Sequence, residues 1–267
     1  MKTIKNNKAN SNSYILYGKH AIFAALQNNK RIIIKLITTT EKKQELLDFL
    51  SKNNLTKLYI NKIEIKSNQD INSLFSNQDS KLHSSFPNHQ GFILKCLPLI
   101  QPSLEDFLDT IKENTKSTII ILDQATDPNN IGAIIRTALG FGVDCIIKPQ
   151  NNSPNETNSM VKMASGSFEK IPLISVINIK NTIDLLKKNN YWIYGLSSHS
   201  NTLSHKIQFE NRSVFVLGSE DRGIRQLTAK NLDFLLKIPT SSELESLNLS
   251  IASSIILYEN YKQKSIL

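Results

Sequence analysis

Thr118-Ile-Ile-Ile-Leu122, Asp123-Gln-Ala-Thr126, Asp127-Pro-Asn-Asn-Ile131-Gly-Ala-Ile-Ile135-Arg-Thr-Ala138-Leu-Gly140, Phe141-Gly142 and Val143-Asp-Cys-Ile-Ile147 form the stretch that decides the fold. The first run is apolar and β-branched, which predicts a buried strand. Asp127 is the expected N-cap of a helix, with Pro128 at its first position, where the missing N–H costs nothing. Ile131, Ile134, Ile135, Ala138 and Leu139 fall at i, i+3, i+4, i+7 and i+8, the apolar stripe of a packed helix. Gly140 and Gly142 end it, and Val143–Ile147 is the next strand. A strand–helix–strand unit of this kind closes as a right-handed parallel crossover. Further strands are expected at Leu173–Val176, Trp192–Leu196, Val214–Leu217 and Phe234–Ile238, with helices between them and a final helix from about Leu249 to Lys262. The expected fold class is α/β, an open, doubly wound parallel sheet that binds ligands beyond the C-terminal ends of its strands.

Upstream the chain reads as a separate, smaller α/β domain. Tyr14–Leu26 is a strand, turn and helix; Arg31–Ile37 is a strand; Lys42–Lys52 is a helix with apolar Leu46, Leu47, Phe49 and Leu50. Leu58-Tyr-Ile60 and Gly91–Leu97 are further expected strands. Pro98-Leu-Ile-Gln-Pro102 has the composition of a linker. The expected division is a basic, disordered tail at 1–13, a small domain at 14–98, a linker region at 99–116 and a larger domain at 117–267.

The 267 residues are 40% hydrophobic and carry a formal net charge of +9, with a mean hydropathy of −0.24. No apolar run reaches membrane-spanning length, and the Lys/Asn/Ser-rich start lacks the hydrophobic core of a secretory leader. Residues 1–98 hold 15 Lys and Arg against 6 Asp and Glu, whereas residues 99–267 hold 17 against 17. The whole excess lies in the N-terminal third, which points to a nucleic-acid footprint beside a neutral body. Biased base composition of the gene would have charged both parts alike. The two cysteines, Cys96 and Cys145, lie in apolar runs, as expected of buried thiols in a reducing, cytoplasmic compartment.

Three segments of the larger domain carry polar residues where loops should sit: Asp123–Ala138, Phe215-Val-Leu-Gly-Ser-Glu-Asp-Arg-Gly223, and Lys237-Ile-Pro239 followed by Glu245-Ser-Leu-Asn-Leu-Ser-Ile-Ala252. Read alone, Gly218–Gly223 is also the sequence of a surface turn and Ser246–Ser250 that of an ordinary helix cap. Together, and in this order, the three resemble the signature motifs of the SpoU/TrmH family of RNA ribose 2′-O-methyltransferases. Tyr17-Gly-Lys-His-Ala21 and His89-Gln-Gly91 resemble words of the ribosomal-protein-like RNA-binding domain that precedes the catalytic domain in one subgroup.

The resemblance implies S-adenosyl-L-methionine (SAM) as cofactor, RNA as partner, no metal, a homodimer and a trefoil knot in the C-terminal domain. It also implies that Asn130, Arg136, Glu220, Ser246 and Asn248 are the active-site residues, and that Leu217, Gly218, Ile238, Leu247 and Asn248 hold the cofactor, largely through backbone. Arg136 stands about 140° from Ile131 around the helix, away from the apolar stripe. Its pKa above about 12 makes it a poor base, so its expected role is to grip an RNA phosphate bidentately. The last helix carries apolar Ile251, Ile255, Ile256 and Leu257 as the expected means of pairing. Met163-Ala-Ser-Gly-Ser167 is either a pocket wall or a plain loop. His20 and His89 suit packing or RNA contact, and His199 and His205 suit a loop surface.

The implied substrate is a guanosine of large-subunit ribosomal RNA, with tRNA as the second reading. A non-catalytic RNA-binding assembly factor is a rival from another class, opposed by the presence of all five motif polar residues. A nucleotide-dependent oxidoreductase lacks its glycine fingerprint here, because Glu220 stands where that pattern requires glycine.

Overall fold

β5 (Ser117–Leu122) is the strand on which the larger part of the molecule is organised. A computed structural model describes residues 13–75 and 88–266. The tail expected at 1–13 lies, except for Ser13, outside the described residues. Two compact units meet in sequence between Ile100 and Gln101.

The first unit contains β1 (Tyr14–Tyr17), α1 (Lys19–Gln27), β2 (Ile33–Thr38), α2 (Lys43–Lys52), α3 (Thr56–Tyr59), β3 (Ile63–Ile65), α4 (Asn68–Ser73) and β4 (Phe92–Cys96). Its sheet runs β1-β4-β2-β3, with β4 antiparallel to both neighbours and β2 parallel to β3. The strand expected at Leu58–Ile60 is a helical turn instead. Leu58 is 62% and Ile60 44% exposed while Tyr59 is buried, so this apolar triplet offers one residue to the core. The strand falls on Ile63-Glu-Ile65 at the edge of the sheet, where Ile63 is half-buried and Ile65 is 44% exposed.

The second unit contains α5 (Leu104–Thr110), β5, α6 (Pro128–Gly140), β6 (Cys145–Pro149), α7 (Asn158–Met163), β7 (Leu173–Val176), α8 (Ile179–Lys188), β8 (Trp192–Leu196), β9 (Arg212–Leu217), α9 (Gln226–Ala229), β10 (Phe234–Leu236) and α10 (Leu249–Ile266). Its six strands are all parallel, in the order β10-β8-β9-β5-β6-β7. Ile119–Leu122, Ile146–Ile147 and Val214–Leu217 are buried without alternation, the pattern of strands covered on both faces. Asp127 caps α6 as expected, accepting from Asn129 N, with Pro128 in the first turn. Leu139 is 38% exposed, because the apolar stripe drifts off the core in the last turn.

The stretch 99–116, expected as a linker, holds α5. Ser103 Oγ accepts from Asp106 N at 3.0 Å and starts the helix. Leu104, Phe107 and Leu108, at i, i+3 and i+4, then pack with Ile119, Ile121 and Ile183, so this segment is core of the second unit.

From β5 the chain builds outward through β6 to β7, then crosses to β8 and returns to place β9 between β8 and β5. The strand order reverses between β5 and β9, and the crevice beyond their C-terminal ends is where such sheets bind ligands.

The opposite end of β5 is tied to α10. Asn260 Nδ2 and Lys264 Nζ donate to Thr118 Oγ1 at 3.1 and 2.9 Å, and Lys264 Nζ donates to Ser117 O at 3.1 Å. Burial lowers the Lys264 pKa to about 8. Below that pH the ammonium is charged in folded and unfolded chains, and its burial cost is in place. Between about 8 and the usual lysine value near 10.4 the folded chain has lost a proton that the unfolded chain keeps, so stability rises with pH. Urea unfolding at pH 7.5 and pH 10 should therefore show the native protein gaining about 2 kcal/mol relative to a Lys264→Met variant across this interval. Parallel pH profiles for the two proteins would remove Lys264 as the cause.

Candidate active site

Asp123, the first residue after β5, is fully buried. A lone carboxylate at the end of an apolar strand needs partners, and it has them. Arg225 N donates to Oδ2 at 3.0 Å, Arg225 Nε donates to Oδ1 at 2.7 Å, and Arg225 Nη2 lies 2.5 Å from Oδ1. Asp123 N donates to Leu217 O at 2.7 Å. This pair clamps the segment after Gly223 over the ends of β5 and β9. Sequence reading missed Arg225. The available signal was the buried Asp123, but its partner lies 102 residues away.

The β9 loop folds back on itself, with Ser219 N donating to Gly223 O at 3.0 Å and Gly223 N to Ser219 O at 2.9 Å. That turn presents Glu220 beside α6 and α10. Glu220 Oε1 accepts from Asn130 Nδ2 at 2.9 Å, from Asn248 Nδ2 at 2.7 Å and from Leu249 N at 3.2 Å. Asn248 Nδ2 also reaches Asn130 Oδ1 at 3.1 Å. One polar residue from each motif thus enters a single cluster. Asn248 is a helix cap as well, since its Oδ1 accepts from Ser250 N at 2.9 Å. The ordinary-cap reading and the site reading describe two ends of one amide.

Next to this cluster lies a pocket of about 390 Å³, within the range of small-molecule sites. Leu217, Gly218, Glu220, Ile238, Ser246 and Leu247 line it, so all but Asn248 of the residues expected to hold a cofactor form its wall. The wall combines apolar side chains with loop backbone, which suits a planar heterocycle needing directed donors and acceptors. His199, read from sequence as loop surface, lines the pocket too. Met163–Ser167 does not. A Cβ on Gly132 of α6 would lie 2.5 Å from Met160 O and 2.8 Å from Met163 Cβ, so that segment is packed against the helix.

Arg136 is brought to neither the cluster nor the pocket wall. It is exposed on α6, as its angular position predicted, and among the described residues it has no hydrogen bond or ion pair.

Residues 117–258 match the SpoU rRNA Methylase family, and residues 15–74 match the domain described as RNA 2′-O ribose methyltransferase substrate binding. An uncharacterised tRNA/rRNA methyltransferase of Synechocystis sp. is 32% identical over 251 residues, spanning 94% of this chain and 62% of that longer protein. A 23S rRNA (guanosine-2′-O-)-methyltransferase RlmB of Coxiella burnetii is 34% identical over 250 residues, 93% of this chain and 95% of the relative. The crystal structure of the SpoU methyltransferase AviRb from Streptomyces viridochromogenes, in complex with AdoMet, superposes with a TM-score of 0.75. It covers 99% of this chain and 95% of that one at 18% identity, a likeness of fold.

Proposed function

Because this chain belongs to the SpoU rRNA methylase family, an RNA methyltransferase by descent, we propose that it methylates a ribose 2′-hydroxyl, that of a guanosine in large-subunit ribosomal RNA. The observation that carries the reading is the Asn130–Glu220–Asn248 cluster on the rim of a pocket at the switch point of the sheet. The guanosine and the ribosomal RNA follow the RlmB relative, which is similar over nearly its whole length.

The pocket fits SAM, the ligand bound in the similar AviRb fold: its volume, its apolar walls and its exposed loop backbone match an adenosyl group. When bound, SAM would supply a methyl carbon on a sulfonium to the 2′-oxygen, with the C–S electron pair passing to sulfur and the hydroxyl proton to solvent. The chain's own residues do the rest. The backbone of Leu217, Gly218, Ile238 and Leu247, which line the pocket, would hold the adenine. Glu220, fixed by Asn130, Asn248 and the Leu249 amide, holds the rim in one geometry and places polar groups beside the reacting ribose. Ser246 closes the same edge. Arg136 holds the neighbouring phosphate by its planar fork and keeps the 2′-oxygen on line.

Arg136 has no hydrogen bond to this cluster in its own chain, and a homodimer in which a second copy presents its own Arg136 to the site belongs to the proposal. Ile251, Ile255, Tyr258 and Tyr261 of α10 are 39–55% exposed, next to Phe141, whose ring centroid lies 6.0 Å from Tyr258 and 5.8 Å from Tyr261. Ile256 and Leu257, expected from sequence to join this stripe, are buried within the chain. A two-fold pairing across Ile251, Ile255 and Tyr258 covers the apolar face and supplies two equivalent sites. Mixing Arg136→Ala with Ser246→Ala under subunit exchange should restore part of the activity, because some mixed dimers regain one intact site. A mixture that stays inactive would place both residues in one chain, and a monomeric mass with full activity would end the dimer.

The trefoil knot of the family belongs to the same proposal. Thr202 O accepts from Lys237 N at 2.7 Å and Ser204 N donates to Lys237 O at 2.9 Å, so the segment leaving β10 runs against the β8–β9 loop. Buried Cys96 and Cys145 suit a reducing, cytoplasmic setting. Among the described residues no helix is long and apolar enough to cross a membrane.

Methyl-labelled SAM with total RNA from cells lacking the gene tests the substrate. Label should enter large-subunit ribosomal RNA. Label in tRNA would support the second reading, and no label in any RNA would favour a non-catalytic assembly factor.

A further inference from the structure

Tyr17–Ala21 and His89–Gly91, the two sequence words of the N-terminal part, meet in the first unit. Lys19 N donates to Gln90 Oε1 at 3.0 Å and Thr38 Oγ1 donates to Gly91 O at 3.0 Å. Gly91 has φ +78°, and a Cβ there would lie 2.7 Å from Lys42 Cγ and 3.1 Å from Thr39 Oγ1. The positive φ favours glycine and a Cβ would have to displace the Lys42 side chain, so the turn packs closely against residues 39–42. α4 forms the facing wall. It is fixed by a capping box between Ser67 and Asp70 and by Ile71, buried against Ile37 and Ile93. Between these walls is a pocket of about 640 Å³.

Its chemistry is unlike that of a phosphate site. Lys19 and Lys42 line it, but so do Glu41 and Glu45. Lys19 Nζ lies 2.5 Å and Lys42 Nζ 2.9 Å from the Glu45 carboxylate, and hydrogen bonds from both lysines hold its pKa below the usual carboxylate value. The cations are already matched, so little attraction is left for a phosphate. Besides Thr39 and His89, the polar wall is amide: Asn68, Asn72, Asn88 and Gln90, whose Oε1 also accepts from Lys19 N. Each amide side chain carries donors and an acceptor side by side, the arrangement that pairs with a nucleobase edge. RNA displays such edges where a base is unpaired and turned out.

We infer that this pocket holds one unpaired nucleobase of the RNA substrate, read on its edge by the amides of α4 and of the 88–90 turn. The inference rests on the reading of the first unit as the RNA-holding part. It gives the substrate a structural feature, a turned-out base.

The test uses the full chain and fluorescein-labelled RNA hairpins that carry a single bulged A, C, G or U in the stem, with the bulge-free hairpin as reference. No methyl transfer is involved, so an error in the assigned reaction leaves the measurement readable, and failure here leaves the reaction standing. The wild-type protein should bind at least one bulged hairpin about tenfold more tightly than the reference, about 1.4 kcal/mol. The double variant Asn68→Ala/Asn72→Ala should bind all hairpins alike, at the reference affinity. Both residues lie at the surface of α4, and an unchanged melting temperature confirms folding. Gln69→Ala, on the same helix but outside the pocket, should discriminate as wild type does. Wild-type protein that binds all hairpins equally would overturn the inference. So would a double variant that still discriminates, or one that weakens every hairpin equally.

Discussion

Arg136→Ala should reduce methyl transfer at saturating RNA by about a hundredfold or more, a loss of about 2.7 kcal/mol of transition-state stabilisation, with SAM affinity and melting temperature nearly unchanged. Arg136 is exposed on α6 and has no partner among the described residues, so its removal should cost the fold less than about 0.5 kcal/mol. It also lies outside the pocket wall, so the cofactor should bind as before. Arg136→Lys should recover only part of the rate, because an ammonium keeps the charge but not the planar fork. Retention of more than about a tenth of the wild-type rate by Arg136→Ala would make it a bystander, since one decade is only about 1.4 kcal/mol.

Gly218→Ala is the second large effect, and it acts through space. A Cβ at Gly218 would run into the backbone of Gly223 and Ile224. Main chain cannot swing aside as a long side chain does, so the Ser219–Gly223 turn has to open. That turn carries Glu220 and lines the pocket. The expected result is a stability loss of about 3 kcal/mol or more together with loss of SAM binding by calorimetry. A Gly218→Ala protein that melts and binds SAM like the wild type would mean that the loop has another conformation in solution.

The parallel sheet was legible because its inner strands β5 and β9 are buried on both faces and carry unbroken apolar runs; β7 and β8 fall on the residues expected, and β9 begins two residues earlier. α5 was not, because Pro98 and Pro102 mark a break, and a seven-residue helix is too short to show more than one repeat of its apolar spacing. Leu58–Ile60 misled for a related reason, since three apolar residues carry no period at all. In the site, composition and spacing identified single residues but not their meeting. Asn130 and Glu220 are 90 positions apart, and Glu220 and Asn248 are 28 apart. Only the order of the motifs, matched to a family, placed them together. The Asp123–Arg225 clamp and the place of His199 in the pocket wall depend on how loops fold over strand ends, for which the sequence offers no local pattern.

The proposed reaction places the methyl group on a ribose 2′-oxygen. Alkaline hydrolysis of the labelled RNA tests it most directly, because cleavage requires a free 2′-hydroxyl. Label should survive in alkali-resistant dinucleotides that digest to a 2′-O-methylated nucleoside. Label released as mononucleotides with the methyl on the base would contradict the account.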